Sequence, residues 1–391
     1  MRILAAFDKC KDSLSAREIC SLAKHVIFTR SCLDQVQTIP LTDGGEGFAE
    51  LLTLAKGGTF HPVSVKDSLG RDKEVKIGLI LIENLNDDLL KFMNLNIQGK
   101  MAVIEMASVV GLCNLTEGER NPWLTSTYGV GQLLKEVSSL GCGSILLGIG
   151  GSSTNDMGVG ALSALGVEFS DQKGNLISFP SPKSWPDVDQ VSIGNLMPLP
   201  PIRIACDVSN SLLGKNGATS QFGPQKGLPF DQIDKMEEEV IKMSETLSFS
   251  FHKTLDSRKH NGAGAAGGIG YGLNLAYDAE FVPGFTLTEK WFGLENAIKC
   301  ADLILTGEGR FDCTSLYGKG PYEIIRVASK FNKKVILLAG SVEEKAVEQC
   351  KSEFSNLEIV SFGNENLPLQ ENFDRVTEFF SKKLLEQLSL N

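Results

Sequence analysis

Seven short apolar runs in this chain each stop at a turn rich in Asp, Glu or Gly, and that recurrence constrains the fold more than any other feature. Residues 2–7 stop at Asp8, 35–41 at Thr42-Asp43-Gly44-Gly45-Glu46-Gly47, and 101–104 at Glu105-Met106-Ala107. Residues 144–149 stop at Gly150-Gly151-Ser152-Ser153-Thr154-Asn155-Asp156, and 202–205 at Asp207. Residues 303–305 stop at Thr306-Gly307-Glu308-Gly309, and 335–338 at Ala339-Gly340-Ser341. Runs of this length, bounded by turn residues, read as buried strands. Helical patterns follow most of them, and Ser15 with Glu18 three positions later fits a capping box for the first. Strand, turn and helix in alternation predict an α/β fold with mainly parallel strands. Ligands of such sheets bind beyond the carboxyl ends of the strands, where these acidic and glycine clusters fall.

A length of 391 residues predicts two or three domains. Residues 84–98 (rich in Asn and Asp) and 178–201 (rich in Pro, Ser and Asp) read as connections, and 235–259 as an exposed helix and its exit. A net charge of -10 without a basic run argues against a nucleic-acid partner. Nine scattered cysteines, an odd number with no C-x-x-C pair, fit a reducing cytoplasm rather than a disulfide framework or a zinc ribbon. The apolar stretch at the N-terminus is too short for a signal peptide, and no run approaches the length of a membrane span. The chain lacks a P-loop, the protein-kinase motifs and G-x-S-x-G. Residues 262–267 match G-x-G-x-x-G, but the polar Ser257-Arg258-Lys259-His260-Asn261 precedes them in place of the strand that a dinucleotide fingerprint needs.

An ordered series of motifs carries a resemblance. It opens with Asp8-x-x-Lys11-x-Ser13-Leu14-Ser15-Ala16 and continues with Asp43-Gly44-Gly45-Glu46-Gly47, Glu105-Met106-Ala107 with Gly111-Leu112, and Thr125-Ser126-Thr127-Tyr128-Gly129. The strongest is Gly150-Gly151-Ser152-Ser153-Thr154-Asn155-Asp156. Asp207-Val208-x-Asn210, Phe222-Gly223-Pro224-Gln225-Lys226-Gly227, the glycines of 262–268, and Gly307-Glu308-Gly309-Arg310-x-Asp312 with Gly318-Lys319 complete it. From residue 1 to about 340 the chain resembles the bacterial glycerate kinases of the type without a P-loop. Departures occur where the family usually has Ser, Phe and Gly and this chain has Lys9, Cys10 and Asp12, and where Met157 replaces a common Gly. Ser211 and Thr314-Ser315 also differ from the usual pattern.

The resemblance implies two α/β domains. One is Rossmann-like and discontinuous, from 1–65 plus 290–391; the second, 66–289, is inserted into it. It further implies phosphorylation of D-glycerate by ATP with Mg²⁺, 2-phosphoglycerate being the favoured product. Phosphoryl transfer needs donors or cations around phosphate oxygens, carboxylates for the metal, and often a base for the hydroxyl proton. Gly150, Gly151, Ser152, Thr154 and Asn155, between a strand and a helix, could cradle phosphate at a helix N-terminus, with Lys226 as a further contact. Asp156 and Asp207 are candidate bases, against readings as a helix cap and an Asx-turn. Lys11 is a candidate for charge stabilisation. Arg71 and Arg310 could clamp a carboxylate, or form surface ion pairs. Asp43 and Ser13 are further expected substrate contacts, and Glu308 and Asp312 candidate metal ligands. A kinase for a related hydroxy acid, a non-catalytic binder and a nicotinamide-dependent dehydrogenase are the other readings.

Overall fold

A computed structural model describes residues 1–95 and 98–390. It is α/β, and the chain divides into two compact units: residues 1–43 with 285–391, and 44–284. Residues 44–65, read from the sequence with the first domain, belong instead to the second unit. The strand Thr59–Lys66 pairs antiparallel with Asp72–Leu81 there, which fixes that segment to the second sheet.

The sheet of the first unit has five parallel strands, in the spatial order Leu357–Ser361, Lys334–Val342, Leu303–Phe311, Arg2–Phe7, Gln35–Thr38. In chain order this is 2-1-3-4-5, a doubly wound arrangement whose order reverses between Arg2–Phe7 and Leu303–Phe311. Such a reversal opens a crevice at the carboxyl ends of the two strands. Ile3 through Phe7 are buried because helices cover both faces of the sheet. On one face Ala16–Arg30 and Val376–Leu390 pack through Ile19, Ala23, Ile27, Phe380 and Leu384. On the other, Leu294–Cys300 and Gly320–Lys330 pack through Leu294, Ile298, Ile324 and Ala328. The Ser15–Glu18 capping box forms at the start of the first helix. Phe380 meets Phe7 and Phe362 edge-on at 5.4 and 5.5 Å, which ties the last helix to the strand ends.

The six-stranded sheet of the second unit is mixed. Glu280–Val282, Ile202–Ala205, Ser144–Gly148 and Lys100–Glu105 are parallel, and the Thr59–Leu81 hairpin extends the edge antiparallel. Residues 84–98 include the helix Asp87–Phe92, capped by Asn86; Asn96 and Ile97 lie outside the described residues. The charged segment forms the helix Ile233–Ser250. No strand precedes residues 262–267; there a Cβ on Gly267 would stand 2.1 Å from the Thr154 carbonyl and one on Gly264 2.0 Å from that of Ser211, so these glycines let backbones pack. Among the described residues no helix is long and apolar enough to cross a membrane.

Two departures from the family pattern sit at left-handed backbone: Asp12 at φ 61° and Met157 at φ 53°. Their environments give opposite predictions. Asp12 is exposed, so Asp12→Gly relieves backbone strain and should raise the free energy of unfolding in urea by about 0.5–1 kcal/mol. Met157 is fully buried against Leu212 and its neighbours. Met157→Gly should therefore destabilise by about 2 kcal/mol, because the lost side-chain packing outweighs the strain relief. Equal signs for the two would show that burial does not decide the difference.

Candidate active site

The crevice predicted by the strand order is present. A cleft of about 600 Å³ lies within the first unit, beyond the strands, and is lined by Asp8, Lys9, Lys11, Asp43, Glu308 and Lys319. Ser13, Arg310 and Asp312 also line it, so six residues singled out from the sequence (Lys11, Ser13, Asp43, Glu308, Arg310 and Asp312) meet in one place.

Asp8 directly follows the strand Arg2–Phe7, its N–H bonded to the Gly307 carbonyl at 2.9 Å. Its carboxylate accepts from the Lys9 N–H at 2.7 Å. Burial, then the nearby charges of Asp43 and Glu308, raise this carboxyl to about 7, against the opposing charge of Lys9. Glu308 is nearly buried and its carboxyl is also raised, chiefly by burial and against the opposing charge of Lys319 at 3.6 Å. One of its oxygens, Oε1, is buried without a hydrogen-bond partner. Three carboxylates thus line the cleft, Asp8 just after its strand, Glu308 within Leu303–Phe311 and Asp43 in the loop beyond Gln35–Thr38, with Lys9 paired to Asp43 at 2.8 Å. Burial pushes the Cys10 thiol up to about 12, so it stays protonated and is no nucleophile.

The remaining cleft residues differ in freedom. Lys11 is exposed at the rim. The Ser13 hydroxyl donates to the Cys10 carbonyl at 3.0 Å, closing the loop that carries Lys11. Arg310 is exposed and engages Asp312 through Nε at 3.2 Å. Asp312 caps the turn Cys313–Leu316, accepting from the Thr314 N–H at 2.9 Å and hydroxyl at 2.5 Å. Burial raises its carboxyl, but these bonds and the charge of Lys319 outweigh that and hold it below the usual range.

In the second unit the strongest sequence motif is mostly interior. Asp156 is fully buried and accepts from the Thr127 N–H and hydroxyl at 2.8 Å each, and from the N–H groups of Gly160 and Gly158 at 3.2 and 3.3 Å. Those contacts are the ones that the helix-cap alternative requires of Asp156. Ser152, Thr154 and Asn155 are buried as well. The Asn155 amide donates to the Thr219 hydroxyl, and only Gly150 and Gly151 of the loop reach the surface. Lys226 is buried too; its ammonium donates to the Thr154 carbonyl at 2.6 Å and the Ser152 hydroxyl at 3.1 Å, so it staples the loop from within. Burial lowers it to about 7, against the charge of Asp156. Arg71 closes the hairpin turn, paired with Asp67 and Glu119 at 2.6 Å each, which matches the ion-pair reading and not the clamp. Asp207 is an exposed carboxylate after Ile202–Ala205, beside Gly284.

Sequence reasoning gave no role to Asp8, Lys9 or Lys319, nor to the wall that residues 362–379 contribute to the cleft. A signal existed for that wall: Leu357–Ser361 is one more apolar run, ended by Phe362-Gly363-Asn364.

Comparison with known proteins agrees with the motif series. The model of the glycerate kinase family matches residues 3–386. A glycerate kinase of Haemophilus influenzae is 36% identical over 88% of this chain and 87% of its own length. A glycerate 2-kinase of Escherichia coli is 35% identical over 88% and 86%. A crystal structure described as a glycerate kinase 2 from Salmonella typhimurium superposes with a TM-score of 0.75 at 30% identity, covering 100% of this chain and 98% of that one.

Proposed function

The chain belongs to the glycerate kinase family, and on that footing we propose that it transfers the γ-phosphoryl group of ATP to D-glycerate, giving 2-phosphoglycerate and ADP in the cytoplasm. The observation that carries the siting of the reaction is the strand-end cleft, where a raised carboxyl, cations and an unpartnered carboxylate oxygen meet.

Asp8 is the proposed base, in place of Asp156. A carboxyl at about 7 is ionised in half the molecules near neutral pH, yet basic enough to accept a hydroxyl proton. The substrate oxygen bonds to the γ-phosphorus, the bond from that phosphorus to the β–γ bridging oxygen breaks, and the hydroxyl proton passes to Asp8. Lys9, Lys11 and Lys319 offset charge on the phosphate oxygens. Arg310, exposed at the same cleft, binds the glycerate carboxylate with donors beyond the Nε that Asp312 engages. Asp207 remains a second candidate base.

Among the described residues no three His, Cys, Asp or Glu side chains converge to hold a metal ion alone. Magnesium usually keeps waters and phosphate oxygens and takes only one or two carboxylates. Glu308 fits that role through its unpartnered oxygen, whereas the Asp312 oxygens serve Thr314 and Arg310. When bound, the ion would offset charge on the phosphates.

Lys9, Cys10 and Asp12, three of the departures from the family pattern, line this cleft, so the acceptor is best tested with a panel. ADP release should be followed with ATP and Mg²⁺ across D-glycerate, L-glycerate, tartronate and glycerol. Turnover confined to D-glycerate is the expected result. Turnover with tartronate alone would favour a kinase for a related hydroxy acid.

A further inference from the structure

The geometry points to a purine-base site in the apolar half of the strand-end cleft, formed by Phe362, Phe373 and Phe379, where the phosphate donor lays its base. The inference rests on the kinase reading above and adds to it where the nucleotide is held.

The cleft has two chemically different sides. Its charged side comes from the ends of Arg2–Phe7 and Leu303–Phe311. Its other side comes from residues 362–379 and carries Phe362, Leu367, Leu369, Phe373, Val376 and Phe379. Leu369 is 68% exposed at the lip, so its apolar side chain is available to a ligand that enters the cleft. A three-carbon hydroxy acid has no apolar face to set against such a wall, and neither has a phosphate. Of the proposed reactants, only the base of the nucleotide is flat, aromatic and large enough to gain from it. At about 600 Å³ the cleft matches a cofactor-sized ligand rather than glycerate by itself.

The wall is preformed. Phe362 is fixed edge-on against Phe380. The Asn372 side chain ties the loop after Phe362, accepting from the Asn364 N–H at 2.8 Å and donating to the carbonyls of Asn364 and Leu367 at 3.0 and 3.2 Å. The floor is backbone. A Cβ on Gly340 would stand 2.5 Å from the Gly309 carbonyl oxygen, and one on Gly363 2.2 Å from that of Gly340. Those glycines therefore let three neighbouring strand ends close into a surface without side chains, suited to a planar ring. A nucleotide with its base here extends its phosphates along the strand ends toward Lys9, Lys11 and Lys319. The 150–156 loop offers no equivalent, because its side chains and Lys226 are interior.

Two measurements on the full chain test this. ADP affinity is read by calorimetry for the wild type, Phe379→Ala and Leu369→Glu; the second change is exposed and leaves the fold intact if the first does not. Phe379→Ala should weaken ADP about tenfold or more, and Leu369→Glu severalfold, with the KM for D-glycerate within twofold of wild type. Photolabelling with 8-azido-ATP should place the adduct within residues 362–379. Unchanged ADP affinity in a folded Leu369→Glu protein, or an adduct on residues 150–156 or near Lys226, would overturn the base site. Wild-type turnover is recorded on the same sample. Its absence would count against the kinase reading, while ADP affinity and the adduct position still decide the base site.

Discussion

Asp8→Asn should abolish most turnover while making the protein more stable. The change keeps the shape of the side chain and the oxygen that accepts the Lys9 N–H, but removes the base, so kcat should fall by about 10²–10⁴-fold. In the folded protein Asp8 titrates near 7, above its ordinary 3.8, because it is buried and faces Asp43 and Glu308. A carboxyl whose folded pKa is raised favours the native state below its unfolded pKa, and that contribution is lost as pH rises through the folded value. Wild-type stability should therefore decline between about pH 4 and pH 7 relative to Asp8→Asn. At pH 8 the variant should be more stable by roughly 2 kcal/mol, since each tenfold in proton affinity is worth about 1.4 kcal/mol and the buried Asn amide, a polar group taken out of water in its turn, forfeits part of that gain. For a unit of this size that is a melting temperature higher by about 4–8 °C. The kcat/KM of the wild type should rise with pH through about 7 and level off. Loss of turnover together with loss of stability would make Asp8 structural, and unchanged turnover would remove it from the chemistry.

Asp156 should show the opposite pattern. Asp156→Ala strands the Thr127 N–H and hydroxyl and the N–H groups of Gly158 and Gly160, all inside the second unit. Leaving buried donors unsatisfied costs about 1–3 kcal/mol each before relaxation, so a net loss of about 3–5 kcal/mol is expected. That corresponds to a melting temperature lower by roughly 10 °C. The fraction that remains folded should keep kcat within about threefold of wild type. Thr127→Val removes one of the same bonds, and its cost should fall well below additivity when combined with Asp156→Ala. A stable Asp156→Ala protein with kcat down a hundredfold would restore the base reading.

The contrast between these two residues shows where sequence reasoning was sufficient. Both are aspartates near a strand end, in motifs that the family resemblance marks. What separates them is what faces each carboxylate. For Asp156 that is the Thr127 turn, 29 residues away in the chain. For Asp8 it is two other carboxylates, one of them on a strand that begins at Leu303. No local pattern carries that information. The strands themselves were legible, because each buried run is short, apolar and ended by acidic or glycine residues. The Thr59–Lys66 and Asp72–Leu81 hairpin was not, because its exposed positions include Ser64, Asp72, Glu74 and Lys76 and it is completed by pairing with the edge of a sheet. Lys226 illustrates the same limit: a lysine in a glycine-rich motif reads as a phosphate contact, and only the fold shows it buried, with its ammonium on the Thr154 carbonyl.

Phosphorylation of D-glycerate by this chain is the step on which every assignment in the cleft depends. ³¹P and ¹³C NMR of a reaction of purified protein with ATP, Mg²⁺ and D-glycerate tests it most directly. A new phosphate monoester on carbon 2, growing in step with ADP, is the expected result. A folded protein that forms no glycerate phosphoester under these conditions would contradict it.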